Sequence, residues 1–263
     1  MTTQMLAVHL QDLVPEARQT NIADAMVKGL QVDSRKVQPG DCFLAFPGHA
    51  VDGREYIKDA LARGAVAVVA EAQGLQQAGE LPIVAVDNLQ RRLGEIAGRF
   101  YRNPSAAMSL VAVTGTNGKT TVTQLVAHAL VTLGRAAGVI GTLGNGPVSQ
   151  MAPTSNTTPD AVMVNALLWQ MQQAGVNAIA MEASSHGLVQ GRLDGLTIHT
   201  GVITNLSRDH LDYHGSMEAY RDAKALLAQH PSLRCLIVNA DDPVVAGMAR
   251  AAHAQCRIVM FSL

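Results

Sequence analysis

The run SLVAVTGTNGKTTVTQLVAHAL, residues 109–130, constrains the fold more than any other part of the chain. A continuous apolar, β-branched stretch enters a loop with glycines at 115 and 118, and the loop opens straight into a helical pattern. A strand that is apolar throughout must be covered on both faces, which is the situation of a parallel sheet between layers of helix. The same alternation continues with a helix over 119–134, strand AAGVIGT (136–142), a helix over 160–174 and strands NAIAMEA (177–183) and IHTGVITNL (198–206). It ends with a helix over 216–229, strand RCLIVNA (234–240), a helix over 242–252 and strand CRIVMF (256–261). Upstream, DCFLAF (41–46), AVAVVA (65–70) and PIVAVD (82–87) have strand character, and 55–65 and 89–101 have helical spacing. Pro104 breaks this pattern, because the residue before a proline is biased away from helix. The expectation is an α/β protein in two domains. A small Rossmann-like domain occupies 1–104, and a phosphate-loop domain with a mostly parallel, helix-covered sheet occupies 105–263. With 48% apolar residues among 263, both can bury real cores.

The general phosphate-loop pattern G-x-x-x-x-G-K-[ST] would place its first glycine at Val113; the chain offers only the shorter Gly115-x-x-Gly118-Lys119-Thr120. The strand–turn–helix context still suits phosphate, since N–H groups at the helix start can hold its oxygens. Lys119 would reach the outer phosphates and Thr120 a magnesium ion. The alternative is a glycine turn followed by a chance Lys-Thr.

Open parallel sheets bind ligands at the carboxyl ends of their strands, so chemical residues are expected just after them. In MEASSHG (181–187), Glu182 comes first and can ligate magnesium directly or through water. NLSRDHLDYHG (205–215) gathers Asp209, His210, Asp212 and His214. The two histidines have the spacing of a zinc pair but no third ligand with zinc-like spacing. SNTTP (155–159) is a polar segment before a helix, with Thr158 or Asp160 as its cap. GTLGNG (141–146) opens no helix and is expected to be a flexible loop. Ser185 beside His186 lacks a G-x-S-x-G elbow and is not taken as a nucleophile and its base. Lys224, in MEAYRDAKALL, has the pattern of a solvated helix lysine, and Cys42 that of a core thiol.

Charge is balanced, with 20 Lys plus Arg against 21 Asp plus Glu, and one Trp, four Tyr and four Phe offer no base-stacking platform. Nucleic acid is therefore not an expected partner. Three cysteines without C-x-x-C spacing suit a reducing compartment. No apolar run is long enough for a membrane span and the N-terminus lacks a signal-peptide pattern, so a cytoplasmic location is expected.

Together, DSRKVQPGDCFLAFPGHAVDG (33–53), TGTNGKTT, NTTP, MEASSHGLVQGR and NLSRDHLDYHG resemble the Mur ligases, ATP-dependent amide-forming enzymes of peptidoglycan synthesis. The resemblance runs from about Val32 to the end and is strongest to the tripeptide synthetases of that family. It implies that Val32, Ser34, His49, Ala50 and Val51 hold the uridine nucleotide of the substrate. It implies that Gly115, Thr116, Asn117, Gly118, Lys119, Thr120 and Thr121 bind ATP, and that Asn156, Thr157, Thr158, Ser184, Gln190 and Arg192 contact the substrate. Glu182 and His210 match magnesium ligands, and Lys224 a lysine carried as a CO2-derived carbamate that also faces the metal. Lys119, Glu182, His210 and Lys224 would be the catalytic set.

The implied reaction joins a diamino acid, diaminopimelate or lysine, to UDP-MurNAc-L-Ala-D-Glu through an acyl phosphate, in a monomeric enzyme. Relatives of this type continue into a third domain with an Asp-Asn-Pro-Arg motif that selects the amino acid, and that tetrapeptide does not occur here. The chain is expected to be a fragment or a shortened protein, incomplete for ligation. Rival readings are a folylpolyglutamate synthetase, which would lack the uridine-binding segment, and a module that only binds the UDP-sugar and ATP. A GTPase would need Asn-Lys-x-Asp, which is missing.

Overall fold

The computed structural model describes residues 6–48, 51–75 and 81–262. It divides into two compact units, Met1–Asn103 and Pro104–Leu263.

In the first unit, a short antiparallel ribbon, β1 (Val8–His9) with β2 (Met26–Val27), precedes a parallel sheet. The sheet has four strands in the order β3 (Gly29–Gln31), β4 (Asp41–Ala45), β5 (Ala67–Glu71) and β6 (Ile83–Val86). Every residue of β4 is buried. Phe43 and Ala45 share a core with Val68 and Ala70 of β5 and with Ile57 and Ala60 of the helix α2 (Ile57–Ala62). The short helix α1 is Leu10–Leu13; in α3 (Leu89–Phe100), Leu89, Leu93, Ile96 and Phe100 form one buried stripe. The Glu71 carboxylate accepts from the Asn88 and Leu89 amides at 3.2 and 2.8 Å, placing a negative charge on the start of α3. The helix expected over 55–65 is shorter. Asp52 accepts from the Arg54 amide and starts a 3-10 turn at Gly53–Tyr56 instead, and Gly64 at φ 98° lies beyond the helix end. β1, β2 and β3 are two or three residues long, too short to carry a period.

The second unit is a seven-stranded sheet in the order β13-β12-β11-β7-β10-β8-β9. Its strands are β7 (Ser109–Thr114), β8 (Ala137–Gly141), β9 (Gly144–Pro147), β10 (Ala178–Glu182), β11 (Thr200–Ile203), β12 (Cys235–Asn239) and β13 (Arg257–Phe261). All neighbours pair in parallel except β8 with β9. The helices are α4 (Lys119–Thr132), α5 (Ala161–Gln173), α6 (Ser185–Val189), α7 (Leu211–His214), α8 (Met217–Ala225) and α9 (Pro243–Met248). Ala127 of α4 packs on Val139 and Ala180, and a larger core joins Leu110, Ala112, Ile179 and Met181 to Val164 and Leu168 of α5. The α/β expectation holds: parallel sheets with helices packed on them.

GTLGNG is not a flexible loop. It turns the chain through Thr142 and Leu143 into β9, and Gly141 pairs with Gly144 across the hairpin. Gly144 and Gly146 sit at φ 141° and 134°, a region that glycine alone enters without strain, so the glycines that hide the strand are the residues that permit it. From β7 the chain moves to β8, β9 and β10 on one side and then to β11, β12 and β13 on the other. The carboxyl ends of β7, β10, β8 and β11 thus gather around this change of direction, where a ligand site is expected.

Candidate active site

The loop after β7 is held by the segment after β11. Thr116 N–H donates to Asn205 O, Asn117 N–H to Asn205 Oδ1, and Thr204 Oγ1 to Asn117 O, at 2.9, 2.9 and 2.6 Å. Gly115 at φ 145° packs so closely that a Cβ there would overlap the Thr204 hydroxyl, and Gly118 at φ 85° is the N-cap of α4. Among the described residues no side chain caps α4, so its first amides remain available to an anion.

This loop opens onto a cavity of about 400 Å3, lined also by Thr120, Thr121, Thr142, Thr157, Glu182, Ser184, Ser185, His210 and Lys224. Glu182, the last residue of β10, is 1% exposed. Among the described residues its carboxylate is met by neutral donors: the Thr120 hydroxyl at 3.0 and 3.1 Å, the Thr142 amide at 2.8 Å and the Thr142 hydroxyl at 3.2 Å. A buried carboxylate with hydrogen bonds but no bonded cation suits a positive ion at the pocket.

Two lysines converge on the loop. Lys119 Nζ donates to the carbonyls of Gly115 and Thr116, both at 2.9 Å, and Lys224 Nζ donates to the same Gly115 carbonyl at 2.8 Å. Lys224 is not the solvated lysine of its helical pattern. It is 1% exposed, with its ammonium 4.3 Å from the centre of the Tyr220 ring. Burial, and then the charge of Lys119, push its amine down to about 7, against an opposing pull from Asp209. Burial also lowers Lys119, opposed by Glu182 and Asp209.

His210 adopts φ 50° before α7, with Nε2 3.5 Å from Asp209 Oδ2. Its ring meets that of His186 edge-on at 5.0 Å. His214 does not join it in a zinc pair; its Nε2 is 2.9 Å from Ser185 Oγ, so the partner of Ser185 is His214 and not its neighbour His186. Burial lowers both His186 and His214, with the charge of His210 second.

The polar segment before α5 comes to the same place. Thr157 lines the cavity, whereas Asn156 is exposed and bonds Ser155. Thr158 is buried and its hydroxyl is spent on backbone, donating to Glu182 O at 2.8 Å and accepting from Ser184 N at 3.0 Å. Asp160, not Thr158, caps α5, and Ser184 caps α6. Arg192 bonds the Thr158 carbonyl and Gln190 Oε1, and Gln190 Nε2 reaches the Tyr213 hydroxyl at 3.2 Å. Thr158, Gln190 and Arg192 therefore brace the segment from behind.

The first unit has a separate cavity of about 430 Å3, lined by Val32, Asp33, Ser34, Arg35, Phe43, Val51, Gly53 and Tyr56. Three of the five residues expected to hold a uridine nucleotide line it; His49 and Ala50 lie outside the described residues.

The sequence profile of the Mur ligase middle domain matches residues 113–263, and that of the Mur ligase family catalytic domain matches 26–101. The chain belongs to the Mur ligase family. The UDP-N-acetylmuramoyl-L-alanyl-D-glutamate–2,6-diaminopimelate ligase of Pseudomonas putida is 51% identical over 249 residues, 91% of this chain and 50% of that protein. The Pseudomonas aeruginosa ligase of the same name is 52% identical over 242 residues, 90% of this chain and 48% of that one. A solved structure of such a ligase, 36% identical, superposes with a TM-score of 0.87 over 98% of this chain and 53% of its own. At 20% identity, MurF from Acinetobacter baumannii shares the fold, with a TM-score of 0.70 over 98% of this chain and 54% of its own. This Mur ligase chain thus spans about half the length of the relatives it matches.

Sequence reasoning missed Thr142, Thr204, Asn205 and the Ser185–His214 pair. Thr142, Thr204 and Asn205 each follow a strand of this Mur ligase sheet, so the strand-end rule, applied without exception, would have marked them. His214 had no such signal, because its partner is remote in sequence.

Proposed function

We propose that the chain supplies the ATP site and the site for the carboxylate substrate of an ATP-dependent ligase acting on UDP-MurNAc-L-Ala-D-Glu. The observation that carries this reading is the convergence of the glycine loop, Lys119, Glu182 and Lys224 on one cavity. The loop amides and Lys119 hold the phosphates, and Lys119 must leave the loop carbonyls to do so. The first-unit cavity takes the uridine. The D-glutamyl carboxylate attacks the γ-phosphorus of ATP, ADP leaves, and an amine then displaces phosphate from the acyl phosphate. The names of the relatives favour 2,6-diaminopimelate over lysine as that amine.

Magnesium fits the donors present. Glu182 and the Thr120 hydroxyl are adjacent oxygens, and no group of three or more His, Cys, Asp or Glu able to hold a metal occurs among the described residues. Magnesium needs only one or two carboxylates beside water and phosphate oxygens, whereas zinc would need more protein ligands. When bound, it neutralises charge on the transferring phosphoryl group. His210 lines the same space. Lys224 fits a carbamate: an amine pushed down to about 7 is partly neutral near that pH, able to add to CO2 and lose a proton. The product is a carboxylate beside the metal site.

Among the described residues no helix is long and apolar enough to cross a membrane, and we place the protein in the cytoplasm. Calorimetry with Mg·ATP and with UDP-MurNAc-L-Ala-D-Glu, followed by ADP release, tests the reading. Both ligands should bind. Lys119→Ala should weaken Mg·ATP by about a hundredfold, as expected for losing a charged hydrogen bond to phosphate, and leave the UDP-sugar unaffected. Equal Mg·ATP binding by that variant would refute the loop assignment.

A further inference from the structure

The turn at Thr142 is built around Glu182. Met181 pairs with Ile140, so the next step along the strands sets Glu182 beside Gly141. A Cβ at Gly141 would overlap the Glu182 carboxylate, so only glycine lets it lie there. One residue on, Thr142 meets the same carboxylate with its backbone amide at 2.8 Å and its hydroxyl at 3.2 Å, while that hydroxyl is also 3.0 Å from Thr157 Oγ1.

We infer that Thr142 is a positioning residue that fixes the Glu182 carboxylate and links its state to the hydroxyl of Thr157. The inference rests on the nucleotide and metal reading above. The Thr142 hydroxyl has one hydrogen and two acceptors in reach. A free carboxylate is the stronger acceptor. Thr142 Oγ1 is placed as donor to both Thr157 Oγ1 and Glu182 Oε2; when its one hydrogen goes to Glu182, the contact with Thr157 is kept only by Thr157 turning its own hydrogen toward the hairpin. Once a cation engages Glu182, the Thr142 hydrogen can turn to Thr157. The Thr157 hydrogen is then released to the cavity, where it can meet an anionic group such as the acceptor carboxylate. The geometry therefore couples cation–nucleotide binding to acceptor binding, with positive sign.

Thr142 is exposed, so its substitution should leave the fold intact. Thr142→Val keeps the amide and removes the hydroxyl; Thr142→Ser restores it. Calorimetry of the 263-residue chain with Mg·ADP, with and without UDP-MurNAc-L-Ala-D-Glu, reads the effect. Thr142→Val should bind Mg·ADP about tenfold more weakly, the scale of a lost hydrogen bond to a charged group. Metal-free ADP should bind as to the wild type, the enhancement by the sugar dipeptide should vanish, and Thr142→Ser should recover both properties. Equal Mg·ADP affinity and equal coupling in wild type and Thr142→Val would overturn the inference, as would failure of Thr142→Ser to recover them. A ligand-free crystal structure of Thr142→Val adds a readout that needs no ligand: Thr157 Oγ1 should turn away from position 142, and an unmoved Thr157 would also overturn it. A wild-type chain that binds no Mg·ADP would instead refute the nucleotide reading, and the crystal result would then decide the role of Thr142 alone.

Discussion

The two cavities are close in volume, about 430 and 400 Å3, and are made in different ways. The one in the first unit is walled by side chains, Val32, Phe43, Val51 and Tyr56, with the Asp33–Arg35 ion pair among its lining residues. The one in the second unit is made of backbone turns at the ends of four strands, with carboxylate and ammonium groups set into them. A wall of side chains can shift to admit a small change in shape. A turn whose conformation only glycine adopts cannot.

The largest expected effect breaks this contrast most directly, by adding one carbon to the frame of each cavity: to the loop behind one and to the wall of the other. Gly115→Ala puts a Cβ onto the Thr204 hydroxyl at φ 145°. It should cost at least about 1–3 kcal/mol of stability and abolish Mg·ATP binding. Val32→Ile adds a carbon to a half-buried wall and should change stability by less than about 1.5 kcal/mol. Thermal unfolding and calorimetry on both variants check the pair. Comparable losses in the two cavities would mean that the backbone-built one has no special rigidity.

Lys224→Met sharpens the same comparison through charge. The folded protein holds the Lys224 amine at about 7, against an ordinary value of 10.5, chiefly by burial. Between those values the unfolded chain binds a proton that the folded chain does not, so stability rises with pH across the window and is flat in this respect below it. The wild type should therefore gain stability between roughly pH 7 and 10, and Lys224→Met should lose most of that gain. Urea unfolding at several pH values measures it. An unchanged slope would show that the amine is solvated or already modified.

What the sequence revealed and what it concealed follow the same division. Strands β4 and β10 are buried at both faces and β7 nearly so, and their unbroken apolar runs announced a parallel sheet. The strand-end positions of Lys119, Glu182 and His210 could be read from the order of the motifs, because a parallel sheet sends its loops to one edge. Three features could not. β9 is made of Gly144, Asn145, Gly146 and Pro147, residues that argue against a strand, and its existence depends on backbone angles. Lys224 lies on a helix whose sequence looks solvated, and only packing against Tyr220 and the loop after β7 buries it. The partner of Ser185 is 29 positions away, and rejecting its immediate neighbour His186 as a partner did not point to His214.

The smallest expected effect separates the cavities by what holds their ligands. In the second unit, phosphate would be held by amides at the start of α4 and by Lys119, interactions that counter-ions compete with and screen. In the first unit, a nucleoside would be held mainly by contact with Phe43, Val51 and Tyr56, and apolar burial is little affected by simple salts at moderate concentration. Raising sodium chloride should weaken ADP binding several-fold in a metal-free titration, while uridine, which carries no phosphate, should bind with nearly constant affinity. Using the nucleoside matters, because UDP would bring its own charges and blur the contrast. A uridine affinity that falls as steeply as that of ADP would shift the weight of recognition in the first unit from its apolar walls to the Asp33–Arg35 pair. In that event Arg35→Ala, at a side chain already 81% exposed, should remove the salt dependence without disturbing the fold.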